Sequence, residues 1–145
     1  VTITVEKAQF ATEELIAGLN RLLPQLSSRA EPLTSDDVEA VVHSESATLF
    51  VALDDGTVVG TLTLVVFVIP TGRRAWIEDV VVDEEWRGAG VGQELTLAAI
   101  DEARQRGVRS IDLTSRPSRE AANAMYVKLG FEARETNVYR YALEG

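Results

Sequence analysis

Ala75-Trp76-Ile77-Glu78-Asp79-Val80-Val81-Val82 leads through Asp83-Glu84-Glu85-Trp86 into Arg87-Gly88-Ala89-Gly90-Val91-Gly92, and the fold is decided by how these residues follow one another. The first eight are rich in β-branched and aromatic side chains and apolar apart from the Glu78-Asp79 pair, the composition of a largely buried strand. The next four carry the chain off that strand. Glycines at 88, 90 and 92 then permit positive φ and let a ligand approach the backbone without meeting a Cβ. Val91, Leu95, Ala98, Ala99 and Ala103 recur at helical spacing, so the turn opens into a helix N-terminus with unpaired N–H groups and a partial positive charge. Such an arrangement holds phosphates or a pyrophosphate with no basic side chain required.

The kind of phosphate follows from what surrounds the glycines. A P-loop needs Gly-x-x-x-x-Gly-Lys and then Ser or Thr, whereas Gly92 precedes Gln93 and Glu94, which argues against nucleotide hydrolysis. A dinucleotide fingerprint counted from Gly88 puts its third glycine on Gln93, and the turn does not follow its strand immediately. The pattern Arg-x-x-Gly-x-Gly at Arg87, Gly90 and Gly92, after Glu-Asp-Val-Val-Val, closely resembles the acetyl-CoA binding motif of the GNAT N-acetyltransferase superfamily.

Composition sets the outer bounds. The chain has 145 residues, 46% of them hydrophobic, the size and apolar content of one domain with a real core. It contains no cysteine, which excludes disulfides, thiol nucleophiles and cysteine metal sites. A single histidine, His43, leaves zinc little to be built from, and its place near the end of a helix suits a solvated cation. No metal is expected. Val1 to Glu6 lacks a basic region with a long apolar run, and no stretch approaches membrane-spanning length, so a soluble, cytoplasmic chain is expected. A net charge of −9 argues against nonspecific binding to nucleic acid or anionic membranes and suits a cationic substrate, although acidity also serves plain solubility.

Outward from the central stretch the elements follow by pattern. Thr48 to Leu53 and Thr57 to Val68 are β-rich runs joined by Asp54-Asp55-Gly56, a hairpin signal, and Pro70-Thr71-Gly72 leads into the strand ending at Val82 to complete an antiparallel meander. Upstream, residues 2 to 6 alternate as a first strand. Thr12 is a candidate N-cap for a helix with Glu13 and Glu14 in its first turn and Leu15, Ile16, Leu19, Leu22 and Leu23 on its apolar face, stopped at Pro24. Thr34 or Ser35 starts a second helix, with Asp36 and Asp37 in its first turn and Val38, Val41 and Val42 inside. Downstream, Gly107 ends the helix beyond the glycine turn, with Arg104 and Arg106 in its last turn. Val108 to Thr114 forms a strand. Pro117-Ser118 and then Arg119 to Leu129 give a capped helix closed by Gly130, and Asn137 to Leu143 alternates as a last strand. There is no linker or repeat, so residues 1 to 145 read as a single domain.

The resulting order, β-α-α-β-β-β-α-β-α-β in an α/β fold with a mixed sheet, is the GNAT order. Ala122-Asn123-Ala124-Met125-Tyr126-Val127-Lys128-Leu129-Gly130-Phe131 is similar to that family's Asn-x-x-Tyr helix ending in Gly-Phe. Independently of the resemblance, Ala121, Ala122, Met125 and Leu129 form a core stripe, and Asn123 and Tyr126 share a neighbouring face. A buried ring with its hydroxyl at the surface is the plain structural role for Tyr126.

The resemblance implies acetyl transfer from acetyl-CoA to a primary amine of a small molecule or peptide by direct attack, with no acyl-enzyme. It gives Tyr126 the role of acid toward the thioester sulfur and sets Asn123 against the CoA arm. The backbones of Val80, Val81 and Val82 hold the pantetheine where the strand splays from its parallel neighbour. Arg87, Gly88, Ala89, Gly90, Val91 and Gly92 cradle the pyrophosphate, an ion pair of Arg87 with Asp83 or Glu84 being the structural alternative; Trp86 is packing. A strand N–H stabilises the oxyanion. Glu78 and Asp79, neighbours on a strand, are expected on opposite faces of the sheet, with Glu78 the candidate base, directly or through water, and Asp79 structural or substrate-binding. The first two helices border the acceptor pocket. A homodimer is compatible with the resemblance; nucleic acid and membrane are not expected partners. A non-catalytic acyl-CoA sensor of the same fold is the alternative, and the presence of both Tyr126 and Glu78 weighs against it.

Overall fold

Asp55 and Gly56 both adopt left-handed backbone, at φ 48° and 82°, which is what a two-residue type I′ turn requires. They join β2 (Ala47–Asp54) to β3 (Thr57–Ile69) with Asp54 opposite Thr57. The computed structural model describes residues 2 to 144. Ahead of the hairpin come β1 (Ile3–Lys7), α1 (Glu13–Leu26) and α2 (Ser35–Val42); behind it come β4 (Gly72–Val82), a 3-10 turn (Glu84–Trp86), α3 (Val91–Gln105), β5 (Ser110–Asp112) and α4 (Glu120–Lys128). The sheet runs β1-β2-β3-β4-β5. Its first three pairings are antiparallel and β5 joins β4 in parallel. This is the expected mixed α/β architecture. The backbone divides after Thr114 into two compact units, with α4 in the second.

In the first unit α1 and α3 each pack on the sheet. Leu15, Leu19 and Leu22 of α1 form a buried cluster with Val38, Leu49, Val51, Val58 and Val81. Two glycines set how closely the helices approach. A Cβ at Gly18 of α1 would stand 2.7 Å from Val58 Cβ, and one at Gly60 of β3 would stand 2.8 Å from Val91 Cγ1 at the start of α3. Caps fix the helix starts: Thr12 accepts from the Leu15 amide at 3.1 Å, and Thr34 and Asp37 cap each other reciprocally. Those hydrogen bonds from Thr34 hold the Asp37 carboxyl below the ordinary carboxylate range. At the far end of α3, Gly107 takes φ 72°, and Gly107 N–H to Arg104 O (3.2 Å) with Val108 N–H to Ala103 O (3.0 Å) close the helix. No helix among the described residues is long and apolar enough to cross a membrane.

Three expectations need correction. Pro24 does not stop α1, which continues to Leu26 with Ser27 N–H bonded to Leu23 O at 3.0 Å. So near the C-terminus the proline removes a single helix bond, and the leucine face upstream already anchors the helix. The helix from Pro117-Ser118 starts at Glu120 with Arg119 in the cap position and no side-chain cap bond. Asn137 to Leu143 forms no strand: nothing from Phe131 to Glu144 is helix or strand, and Val138, Tyr139, Tyr141 and Leu143 are exposed. Alternation marks a segment able to form a strand, but the strand exists only where a neighbour takes its backbone hydrogen bonds.

Gly60→Ala should destabilise the protein by about 1–3 kcal/mol, the usual cost of overpacking. Its Cβ would also lie 3.1 Å from Leu95 Cδ1 and 3.3 Å from the Val81 carbonyl oxygen. Urea denaturation checks this; unchanged stability would mean that α3 retreats from the sheet without cost.

Candidate active site

β4 carries a bulge at its acidic pair. Thr63 lies opposite Glu78 and Thr61 opposite Val81, so Leu62 alone faces both Asp79 and Val80. Asp79 sits at φ 49°, a left-handed conformation that non-glycine residues seldom adopt and aspartate tolerates better than most. The extra residue changes the phase of the strand. Glu78 and Val81 share the face of Thr63 and Thr61, with Val81 in the α1 cluster, while Ile77 and Val82 share the other face with Leu64 and Gly60. The expectation that Glu78 and Asp79 take opposite faces relied on unbroken alternation, and alternation stops at this pair. Both are exposed. Among the described residues neither side chain makes a hydrogen bond or ion pair.

Beyond the bulge the strand is open on one edge. β5 pairs with β4 only at Arg74, Ala75 and Trp76, whereas β4 continues to Val82. From Ile77 onward the β5-facing edge has no strand partner among the described residues. An extended ligand with amide groups can add to such an edge as a strand would. Val81 is buried by its side chain, so its ligand-facing capacity is that of its backbone.

The glycine turn follows. Asp83 is anchored by its N–H to Val59 O at 2.9 Å, and its Oδ1 accepts from the Glu85 amide at 3.2 Å. Gly88 and Gly90 take φ 82° and 84°. A Cβ at either would meet nothing within 4 Å, so the backbone conformation, not crowding, demands glycine there. Gly90 is the N-cap of α3 with no side-chain bond, and the first α3 bond is Glu94 N–H to Gly90 O at 3.0 Å. The amides of Val91, Gly92 and Gln93 precede it and have no intrahelical acceptor. Arg87 is exposed. It forms none of the described ion pairs, and Asp83 instead faces Arg21 at 3.9 Å. Trp86 is half-buried.

In the second unit, Tyr126 is the buried residue of α4, 6% exposed. Its ring meets Phe131 edge to face with centroids 5.6 Å apart. Phe131 N–H to Tyr126 O and Gly130 N–H to Val127 O, both 3.0 Å, end the helix in a Schellman motif, with Gly130 at φ 106°. The Gly-Phe pair therefore stops α4 and supplies the ring that covers the tyrosine. Burial pushes the Tyr126 phenol up, with the Arg119 charge opposing. Asn123 donates its amide nitrogen to Arg116 O at 3.0 Å, which leaves its oxygen for a ligand. The expected core stripe is weaker than its pattern: Ala121 is exposed and Ala122, Met125 and Leu129 are half-buried.

Sequence reasoning missed the side chains that tie β1 to the end of α3. Glu102, 9% exposed, bridges Lys7 Nζ at 2.6 Å and Arg106 Nε at 3.2 Å; only its i,i+4 spacing to Arg106 was a signal. A cleft of about 300 Å³ borders that bridge, and none of its lining residues belongs to β4 or the glycine turn. His43 is exposed at the end of α2. Among the described residues no three His, Cys, Asp or Glu gather as metal ligands.

Residues 15 to 131 match the acetyltransferase (GNAT) family. N-alpha-acetyltransferase 30 of Schizosaccharomyces pombe is 33% identical over 117 residues, 80% of this chain and 77% of that protein. The glucosamine 6-phosphate N-acetyltransferase of Trypanosoma brucei brucei is 40% identical over 83 residues, 55% of this chain and 54% of that protein. A solved structure of a transcriptional regulator from Bacillus halodurans superposes with a TM-score of 0.81 at 28% identity, covering 97% of this chain and all of that one (100%).

The raised Tyr126 phenol has a readable consequence. A phenol raised in the folded state gives stability that is whole below its unfolded value and lost as pH climbs through the folded one. In ¹³Cζ-tyrosine spectra the Tyr126 resonance should move only above about pH 10, the ordinary tyrosine value, and Tyr126→Phe should lessen the alkaline loss of stability. A resonance moving at or below that value would contradict the burial argument.

Proposed function

The chain belongs to the acetyltransferase (GNAT) family, and on that premise we propose how its residues divide the transfer of an acetyl group from acetyl-CoA to a primary amine. The observation that carries the proposal is the unpaired edge of β4 running into a turn and helix start with free amides. Acetyl-CoA supplies a thioester already activated toward amines. The backbones of Val80, Val81 and Val82 pair with its amide-bearing arm. Arg87, Gly88, Ala89, Gly90, Val91 and Gly92 receive its pyrophosphate, the glycines by turning amides toward it and Arg87 by a charge free of the described ion pairs.

On the acceptor side, Glu78 accepts the amine proton directly or through water, for which a modest base suffices. Asp79 attracts the ammonium form of the acceptor. A β4 amide beside the bulge donates to the developing oxyanion. The Tyr126 phenol, kept protonated by its burial, gives its proton to the departing thiolate, and the Asn123 oxygen accepts from the cofactor arm. The acidic pair on β4 and the net charge of −9 suit a cationic acceptor. Since the relatives include an N-alpha-acetyltransferase and a glucosamine 6-phosphate N-acetyltransferase, peptide α-amines and amino sugars head the panel. A non-catalytic sensor is disfavoured by these relatives.

Thiol release from acetyl-CoA across an amine panel tests the activity, and no turnover with any amine despite acetyl-CoA binding would favour the sensor. Gly90→Val should lose acetyl-CoA affinity with the fold retained, because valine resists φ 84°; equal affinity by calorimetry would remove the turn from the site. Tyr126→Phe should bind acetyl-CoA normally and turn over roughly 10²-fold more slowly, the scale of positioned acid catalysis. Wild-type turnover under chemistry-limited conditions would make the phenol structural. Glu78→Gln should depress the low-pH limb of the rate profile most, and an unchanged profile would exclude Glu78 as the base.

A further inference from the structure

We infer that Arg21 and Gln25, on α1, are positioning residues for the glycine turn, an inference that rests on reading that turn as the acetyl-CoA cradle. The turn is held loosely by its own bonds. Arg87 N–H to Glu84 O at 3.4 Å and Ala89 N–H to Trp86 O at 3.3 Å are both long. Its position therefore depends on the residues before it, and α1 grips them twice. Gln25 Oε1 accepts the Glu84 N–H at 3.0 Å. Arg21 donates through Nη2 to Val58 O while its Nε faces Asp83 Oδ2 at 3.9 Å. The other Asp83 oxygen caps the 3-10 turn, and the Asp83 amide is bonded to Val59 O, next to the carbonyl that Arg21 takes.

Arg21 and Gln25 are four residues apart and so share one face of α1. Between them Leu22 is fully buried, and one turn earlier Gly18 seats the helix on Val58. The brace is thus anchored in the core and reaches out to the turn. Charge supports the same conclusion. Asp83, Glu84 and Glu85 place three carboxylates just ahead of a cradle for a pyrophosphate. Arg21 offsets part of that repulsion, and Gln25 offers an acceptor oxygen without adding a fourth negative charge.

Two measurements on the full chain separate the brace from its consequence. By hydrogen exchange of the free protein, amides from Glu84 to Ala89 should exchange about tenfold faster in Arg21→Met and Gln25→Met, with β3 amides unchanged. By calorimetry, acetyl-CoA Kd should rise about fivefold to tenfold in both variants. The KM for acetyl-CoA should rise with it while kcat at saturation holds, and Arg21→Lys, which keeps a cation opposite Asp83, should recover most of the affinity. Gln25→Glu should keep the wild-type exchange rate yet bind more weakly, because it preserves the bond and adds charge. Unchanged exchange from Glu84 to Ala89 in both Met variants overturns the brace, whether or not acetyl-CoA binds. Faster exchange with unchanged Kd overturns the coupling to the cofactor. A wild-type protein that does not bind acetyl-CoA overturns the reading of the turn itself, and the exchange rates still decide the brace.

Discussion

The pairing of β3 with β4 is the constraint on which the rest depends. Were it regular, every second residue of β4 would face the same way along its whole length. Because Leu62 faces two residues instead of one, the strand changes phase at Asp79, leaves two carboxylates exposed where β5 no longer covers its edge, and brings Val81 onto the α1 side. The cost is a left-handed aspartate, a conformation worth about 1–3 kcal/mol of strain. Hydrogen bonding on both sides of the bulge and the buried contacts of Val81 and Ile77 hold it in place.

Two helices of the first unit, α1 and α3, work from opposite requirements. α3 must begin where β4 ends, with its first amides free, so its start is pressed onto β3 through the bare backbone of Gly60 and its far end is closed at Gly107. α1 needs no free end. It is sunk into the sheet at Gly18 and Leu22, and its polar side chains at Arg21 and Gln25 are free to reach the loop leading to the glycines.

Much of this was legible in the sequence because it is local. Asp55-Gly56, Thr12, Thr34, Gly107 and Gly130 each announce a turn or cap by their own backbone preferences, and the strand-turn-helix of residues 75 to 107 is a continuous stretch. The candidate site residues could be proposed because the motifs that carry the family resemblance are also continuous stretches. What was not legible depends on pairing across distance. The bulge is a property of two strands; neither β3 nor β4 shows it alone. Pro24 looked like a stop because its local effect is real, yet the leucines before it already fixed the helix. Asn137 to Leu143 has a strand's alternation without a strand's neighbour. Arg21 and Gln25 gave no signal, since their partners lie 37 or more residues away.

The order of strands in the sheet repeats their order in the chain, so as the polypeptide leaves the ribosome each of the first four strands finds its partner next to it in time as well as in space. Lys7 is the exception. Its partner Glu102 sits in the last turn of α3, so the ion pair that ties β1 to α3 forms only after all four strands of the meander have been made. A nascent chain halted before α3 is complete would hold β1 by its pairing with β2 alone, leaving the strand's outer edge open to another growing chain for that interval.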